Sequence, residues 1–183
     1  MEIIRRNSEK YPIKAVLSDG KQLIIPKQSR FDNEWLKHHG CSLMAEYIAL
    51  QWLGVEKFKD GRKTLRIWPI NLLKWHREHN EAQVKAKVTV RGVAQAIRKL
   101  AKGKGTASYT TTVTASKIRK AIKEGHPVIM EQADPIHTII LLPDADGTFK
   151  ASYGKVTKVS IDSIAKTATT NKTYRGMVVV REV

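Results

Sequence analysis

The sequence predicts an α+β fold in which helices come first and an antiparallel sheet follows. Three helical patterns with an apolar face lie within residues 41–102, and short β-branched runs dominate the chain from residue 106 onward. Helices and strands that are segregated along the chain in this way are typical of α+β proteins. We expect one domain over residues 1–183, mainly helical over 28–105 and mainly sheet over 106–183.

The N-terminal segment predicts a hairpin followed by a loop. Two β-rich runs over residues 13–25 flank the dipeptide Asp19-Gly20, which favours a tight turn. Pro26 ends the second run, because proline cannot donate to a β-ladder. Residues 27–40 show no regular period, so we expect a loop there that ends at Gly40.

Three helices are predicted from their periodicity and their ends. The first begins at about Cys41 and ends before Gly54, which stands where a C-cap belongs. The second begins at Pro69, a residue suited to the first turn of a helix. The third follows Thr89, whose hydroxyl can cap it, and glycines break it after Lys102.

The second half predicts a sheet that is interrupted by one short helix. This helix covers residues 116–124 and stops at Gly125. A turn from Asp144 to Gly147 joins two of the strands. The predicted strands cover residues 109–114, 127–131, 137–142, 148–153, 155–161 and 176–182.

Composition and the N-terminal residues limit the class of protein. Apolar residues make up 42% of the 183 residues, enough for a sizeable core, and no apolar run approaches the roughly 20 residues of a membrane span. Charged residues come early, at Glu2, Arg5 and Arg6, and no secretory leader is recognisable. We therefore expect a cytoplasmic protein with no membrane partner, although a mature secreted chain would look the same.

The chain is strongly basic, with a net charge of +16 from 33 Lys and Arg against 17 Asp and Glu. An excess of this size attracts polyanions, and it also keeps a protein soluble as a hydrated basic surface. No helix-turn-helix, zinc-finger or RNA-recognition signature accompanies the charge. A nucleic-acid-binding protein is therefore the least favoured alternative, and weak polyanion binding is a secondary expectation.

Metal and cofactor sites are not expected. Cys41 is the only cysteine, which excludes an intrachain disulfide and disfavours a four-ligand zinc site. The histidine pair at residues 38–39 has no cysteine or carboxylate at ligand spacing. The His-Arg-Glu-His segment at residues 76–79 fits neither orientation of the zinc-peptidase motif.

Three features combine into a candidate catalytic constellation. Cys41 follows Gly40 at the predicted start of a helix, where backbone N–H groups and the macrodipole favour a thiolate. His137 opens a predicted strand, and an imidazole near the thiol can take its proton and later protonate the leaving amine. Gln28 lies upstream, and its side-chain amide can donate to a developing oxyanion together with the Cys41 backbone N–H.

These features resemble those of the papain-like cysteine peptidases, in particular the bacterial branch that includes the double-glycine leader peptidases. That branch has a Gln, an acidic and aromatic loop, and a Gly-Cys pair that opens a helix, here Gln28 and Gly40-Cys41. Much later it has a small-Pro-Val-Ile strand and a strand that begins with His, here residues 125–129 and His137. The resemblance implies a papain-like two-lobed fold with a peptide or protein substrate in the cleft. It also implies that Cys41, His137 and Gln28 are the nucleophile, the base and the oxyanion donor.

The chain departs from that pattern in two places. Ser42 follows the Gly-Cys pair, where the branch usually has a second glycine. The family's orienting Asp or Asn belongs on the strand that returns from the hairpin, and the mirror position of His137 across the turn falls at residues 152–154. We expect Ser152 to occupy it as the third catalytic residue. Tyr153 is then expected to face away from His137, because side chains alternate along a strand.

This third position leaves several alternatives open. A neutral hydroxyl stabilises an imidazolium less than a carboxylate does, and Asp144 and Asp146 lie too close to the turn to reach His137 by simple pairing. The chain is then a weak peptidase, an enzyme that uses a Cys-His dyad, or a catalytically silent binding module of the same fold. Isopeptide, thioester and amide substrates remain open beside peptides, and no cofactor is expected.

Overall fold

A computed structural model describes residues 1–4, 12–79, 87–133, 136–170 and 174–183. The elements of the first half are β1 (Glu2–Ile4), β2 (Ile13–Val16), β3 (Gln22–Ile25), a 3-10 turn (Gln28–Arg30), α1 (Glu34–His39), α2 (Cys41–Trp52), β4 (Lys57–Asp60), β5 (Lys63–Arg66), α3 (Pro69–His79) and α4 (Val90–Leu100). The elements of the second half are β6 (Gly105–Thr110), α5 (Ala115–Lys123), β7 (Val128–Gln132), β8 (His137–Asp144), β9 (Gly147–Ser152), β10 (Lys155–Val159), α6 (Ile161–Thr170) and β11 (Tyr174–Glu182). None of the described helices is long and apolar enough to cross a membrane.

The predicted N-terminal hairpin is confirmed. β2 and β3 pair antiparallel, with Ile13 opposite Ile25 and Val16 opposite Gln22. Gly20 in the turn has a φ of +84°, in the left-handed region that glycine adopts without strain. β1 pairs with the other edge of β2 and completes a three-stranded sheet.

The expectation of a loop over residues 27–40 is wrong, because this segment holds the 3-10 turn and α1. The Asn33 side chain caps α1 by accepting a hydrogen bond of 3.0 Å from the Leu36 N–H. Leu36 is the only buried residue of this six-residue helix. An apolar period therefore has too few positions to be recognised in the sequence.

The three predicted helices of the first half are confirmed as α2, α3 and α4. Gly54 follows the end of α2 with a φ of +68°, and the Thr89 Oγ1 accepts a hydrogen bond of 3.2 Å from the Gly92 N–H at the start of α4. The hairpin of β4 and β5 is an addition to this mainly helical half. The sequence does not predict it, because charged residues occupy most of its positions and only Phe58 is buried.

The second half forms a six-stranded sheet in the order β10–β9–β8–β7–β11–β6. Every neighbouring pair is antiparallel. The predicted turn between β8 and β9 is confirmed, with Asp144 paired to Gly147. The mixed helical and antiparallel architecture is therefore the predicted α+β class.

The position of one strand and the presence of one helix in this half differ from the prediction. β6 covers Gly105–Thr110 instead of residues 109–114, and α6 follows β10 where no helix is predicted. Gly103 and Gly105 interrupt the sequence pattern after α4, and for this reason the sequence predicts no strand at these residues. A Cβ on Gly105 would nevertheless lie 2.6 Å from the Arg181 carbonyl oxygen, so glycine here permits close approach of the neighbouring strand.

Alternate side chains of the sheet face two apolar layers. In β8, Ile140 and Leu142 belong to the larger core cluster with residues of α2 and α4, whereas Ile139 and Leu141 pack with residues of α5 and α6. The larger cluster also includes Leu23 of β3, in the three-stranded sheet. One apolar core therefore joins the two halves of the chain, and within it α2 packs against β8.

Candidate active site

The candidate nucleophile is the first residue of α2. Cys41 is half-buried, and the preceding Gly40 is buried where α1 ends and α2 begins. The Gly40 N–H donates to the Leu36 carbonyl at 2.9 Å, and a Cβ on Gly40 would lie 2.4 Å from the same oxygen. The φ of Gly40 is −81°, an angle that any residue adopts. Lack of space, and not backbone strain, therefore requires glycine before the cysteine.

Replacing Gly40 with alanine is expected to destabilise the protein by about 1–3 kcal/mol, the usual cost of forcing extra atoms into a packed interior. The clash also displaces Cys41, so the rate of its alkylation by iodoacetamide is expected to change. Gly20→Ala is the comparison variant, because Gly20 lies outside the pocket and has open space around its Cβ. Its φ of +84° makes alanine costly there through backbone strain alone, by about 1–2 kcal/mol, and no change in Cys41 alkylation is expected. Unchanged unfolding and alkylation in Gly40→Ala would contradict this role of Gly40.

His137 is the first residue of β8 and is only 5% exposed. Its Nε2 shares a hydrogen bond of 2.8 Å with the Ser152 Oγ. This contact is the predicted one, for which counting across the turn gives residues 152–154 and side-chain size selects Ser152. Because Nε2 is engaged with Ser152, Nδ1 is the ring nitrogen that can exchange a proton with a thiol.

Tyr153 covers a face of the histidine ring. The two rings are stacked, with centroids 3.7 Å apart and planes inclined by 2°. The expectation that Tyr153 faces away from His137 is wrong, because β9 ends at Ser152 and strand alternation ends with it. Tyr153 and Gly154 have φ values of +51° and +70°, which form a two-residue turn into β10. The pair Tyr153-Gly154, which ends in glycine between two strand-like runs, is the sequence signal that could have shown this turn.

A buried hydrogen bond joins the helix of Cys41 to the strand of His137. The Ser42 Oγ and the Thr138 Oγ1 lie 2.9 Å apart, and the two residues are 1% and 4% exposed. Each follows a candidate catalytic residue directly in the sequence. Ser42 stands where the peptidase branch that this chain resembles usually has a second glycine. Its role here is structural, because it fixes α2 against β8.

Gln28 begins the 3-10 turn and borders the same pocket as Cys41. Its Nε2 donates a hydrogen bond of 3.1 Å to the Lys37 carbonyl. This bond fixes the side chain, and an amide nitrogen carries a second hydrogen that can donate to a bound group. The geometry thus keeps Gln28 as a candidate oxyanion donor.

The predicted site residues come together around one pocket. Cys41, His137, Gln28 and Ser152 border it, and apolar side chains of β3, α2 and β8 form most of the remaining wall. The space in it that the centre of a water-sized sphere can occupy is about 20 Å³, enough for a single water molecule. The described part of the chain contains no hydrogen bond between Cys41 and His137, whose Nε2 is bound to Ser152. The pocket is therefore assembled, but the thiol and the imidazole are not yet paired.

The electrostatic environment keeps the imidazole neutral. Burial and, secondly, the charge of Lys150 lower the pKa of His137 from its ordinary 6.5 to about 4. Asp144 and Asp146 bind the amino group of Met1, at 2.7 and 2.6 Å, instead of the histidine. Little imidazolium is therefore present on His137 near neutral pH.

Comparisons of the chain with protein-family models, with curated proteins and with solved structures found no match. The functional interpretation therefore depends on the residues and the geometry of this site.

Proposed function

We propose that this chain is a papain-like cysteine peptidase that hydrolyses peptide or related amide bonds. The observation that carries the proposal is the shared pocket, bordered by a cysteine that opens a helix, a buried histidine and a side-chain amide. The helical part and the sheet would act as the two lobes of a papain-like fold. An extended peptide would lie across the pocket between them.

The proposed reaction is a thiol acyl transfer. The Cys41 Sγ attacks the carbonyl carbon, and its proton passes to His137, which is neutral at rest and therefore able to accept it. The developing oxyanion accepts hydrogen bonds from the Cys41 backbone N–H and from Gln28 Nε2. The amine leaves with the proton from His137, and a thioester remains on Cys41. Water then gives a proton to His137 and attacks the thioester, which releases the acid and the Cys41 thiolate. The proton on His137 returns to the Cys41 Sγ and restores the thiol and the neutral ring.

Three further residues support the proposal, because they fix the positions of His137 and of α2. Ser152 bonds the ring nitrogen on one side, and Tyr153 stacks on the ring face. Thr138 joins the strand to the start of α2 through its bond with Ser42. The thiol of Cys41 and the ring of His137 border the same small pocket, so a bound carbonyl group there would be within the reach of both elements.

Incubation with a proteome-derived peptide library tests the proposal. New peptide termini are expected with the wild type, and Cys41→Ala is expected to lower their formation roughly 10³-fold or more, since removal of a nucleophile abolishes covalent catalysis. Gln28→Ala is expected to retain a reduced rate, because one oxyanion donor remains. Identical termini and rates for the wild type and Cys41→Ala would refute the peptidase assignment.

The second candidate function is a catalytically silent peptide-binding module of the same fold. The observation that favours it is the neutral imidazole, which is bonded to a hydroxyl and not to the Cys41 thiol. In that case Cys41→Ala retains bound library peptides with wild-type affinity, and neither protein produces new termini. His137→Gln would also leave the alkylation rate of Cys41 unchanged.

A further inference from the structure

We propose that Asp60, Glu78 and His79 form a binding site for a divalent transition-metal cation, with Zn²⁺ as the best-matched ion. Two carboxylate oxygens and one imidazole nitrogen lie within 4.8 Å of one another. Asp60 ends β4, whereas Glu78 and His79 end α3, so the donors converge from two elements. The site is separate from the Cys41 pocket and does not rest on the proposed function.

The His79 ring is already oriented as a metal ligand. Its Nδ1 lies 2.9 Å from the Trp75 carbonyl oxygen, which only accepts, so Nδ1 carries the hydrogen of this bond. In the neutral ring the lone pair is then on Nε2, which lies 3.7 Å from the Asp60 Oδ1. The Trp75 ring stacks on His79 at 4.7 Å with an inclination of 11°. Metal-binding histidines commonly donate their other N–H to a carbonyl in this manner, which fixes both tautomer and orientation.

The donors need only a small movement to close around an ion. Two ligands of one tetrahedral zinc ion are about 3.3–3.6 Å apart, given bonds of roughly 2.0–2.2 Å. The side chains of Glu78 and His79 are 46% and 38% exposed, so solvent leaves them room to shift, whereas Asp60 is 12% exposed and more firmly placed. Water can complete the coordination.

The donor set distinguishes among cations. An imidazole nitrogen with carboxylate oxygens suits zinc and its transition-metal neighbours, whereas magnesium and calcium prefer oxygen alone. Lys74 opposes cation binding, because its Nζ lies 3.9 Å from the Glu78 Oε1. A bound ion would join the β4–β5 hairpin to the end of α3 and thereby stabilise this part of the fold.

Calorimetric titration with ZnCl₂ and MgCl₂, together with thermal unfolding, tests the site. Every protein in the experiment carries Cys41→Ala, so that zinc bound by the thiol does not contribute. We expect one equivalent of Zn²⁺ to bind at least tenfold more tightly than Mg²⁺ and to raise the Tm. His79→Gln and Asp60→Asn are each expected to weaken zinc binding roughly tenfold or more. Lys74→Gln is expected to tighten it.

His38→Gln is the matched control. His38 and Glu34 form an exposed histidine–carboxylate pair within α1, with Nε2 and Oε2 3.2 Å apart. Its replacement is expected to leave zinc affinity unchanged. The proposal is overturned if zinc does not bind at about millimolar concentration, or if it binds equally well to His79→Gln and Asp60→Asn. In either case the contact between His79 and Asp60 is only an ion pair.

Discussion

Replacing Glu46 with alanine is expected to lower the free energy of unfolding by about 2–5 kcal/mol, the range for cutting a large buried side chain back to alanine. Glu46 of α2 and His76 of α3 are both 0% exposed, and Glu46 Oε2 lies 2.7 Å from His76 Nε2. Burial raises the pKa of Glu46, while His76 opposes that rise. Alanine removes the hydrogen bond between the two helices and leaves a cavity beside a buried imidazole.

Burying the Glu46–His76 pair costs free energy, and removing only one of its partners also lowers the free energy of unfolding. Glu46 Oε1 has no hydrogen-bond partner within the described ranges, so the carboxyl is only partly satisfied. Replacement of both partners, Glu46→Met with His76→Leu, substitutes apolar side chains of comparable size. This double variant is expected to unfold within about 1 kcal/mol of the wild type, because apolar replacements of buried pairs are often neutral.

Denaturant unfolding of the wild type, Glu46→Met, His76→Leu and the double variant completes a mutant cycle. The single variants are expected to show a favourable coupling between the two side chains. If Glu46→Ala costs less than about 1 kcal/mol, or if the two effects simply add, the pair does not hold α2 against α3.

The positions of Cys41 and His137 within their own elements could be predicted, because short sequence patterns determine where a helix or a strand begins. Periodicity places Cys41 at a helix start, and β-branched residues place His137 at a strand start. Counting across the turn places residues 152–154 near the histidine, and among them the size of Ser152 selects it as the partner that the structure shows. Tyr153 could not be placed by the same count, because two positive φ values take it out of the strand.

Contacts between distant elements could not be predicted. The bond between Ser42 and Thr138 depends on how α2 packs against β8, which no local pattern determines. The lowered pKa of His137 has the same origin, since burial is a property of the assembled core.

The errors in the fold follow from the same limitation. α1 is too short for an apolar period, and Gly105 is a close-packed strand residue whose type alone favours a break.

Replacing Ser152 with aspartate is expected to raise the rate of Cys41 alkylation by iodoacetamide near pH 6 roughly tenfold or more. The pKa of His137 is about 4 in the wild type, so at pH 6 very little imidazolium is present. A carboxylate beside Nε2 raises an imidazole pKa by about 1–3 units, and each unit increases the imidazolium fraction up to tenfold. Imidazolium in the pocket stabilises the Cys41 thiolate, which is the reactive form.

The increase in the Cys41 alkylation rate in Ser152→Asp is expected to depend on pH. The gain is expected to be largest at mildly acidic pH, where only the variant holds the proton on His137. It is expected to disappear at high pH, where the ring is neutral in both proteins. Ser152→Asn is the matched control, because its amide has nearly the shape of aspartate and no charge. A second control, His137→Gln combined with Ser152→Asp, should remove the gain.

Measuring the His137 pKa by proton NMR in the same variants separates two possible failures. If Ser152→Asp leaves the pKa at its wild-type value, the hydrogen bond of 2.8 Å does not transmit charge to the ring and the third-position role of Ser152 is wrong. If the pKa rises and alkylation does not, Cys41 and His137 are not coupled despite bordering one pocket. That second outcome would favour the silent binding module, because a proton that cannot pass between thiol and imidazole cannot support acyl transfer.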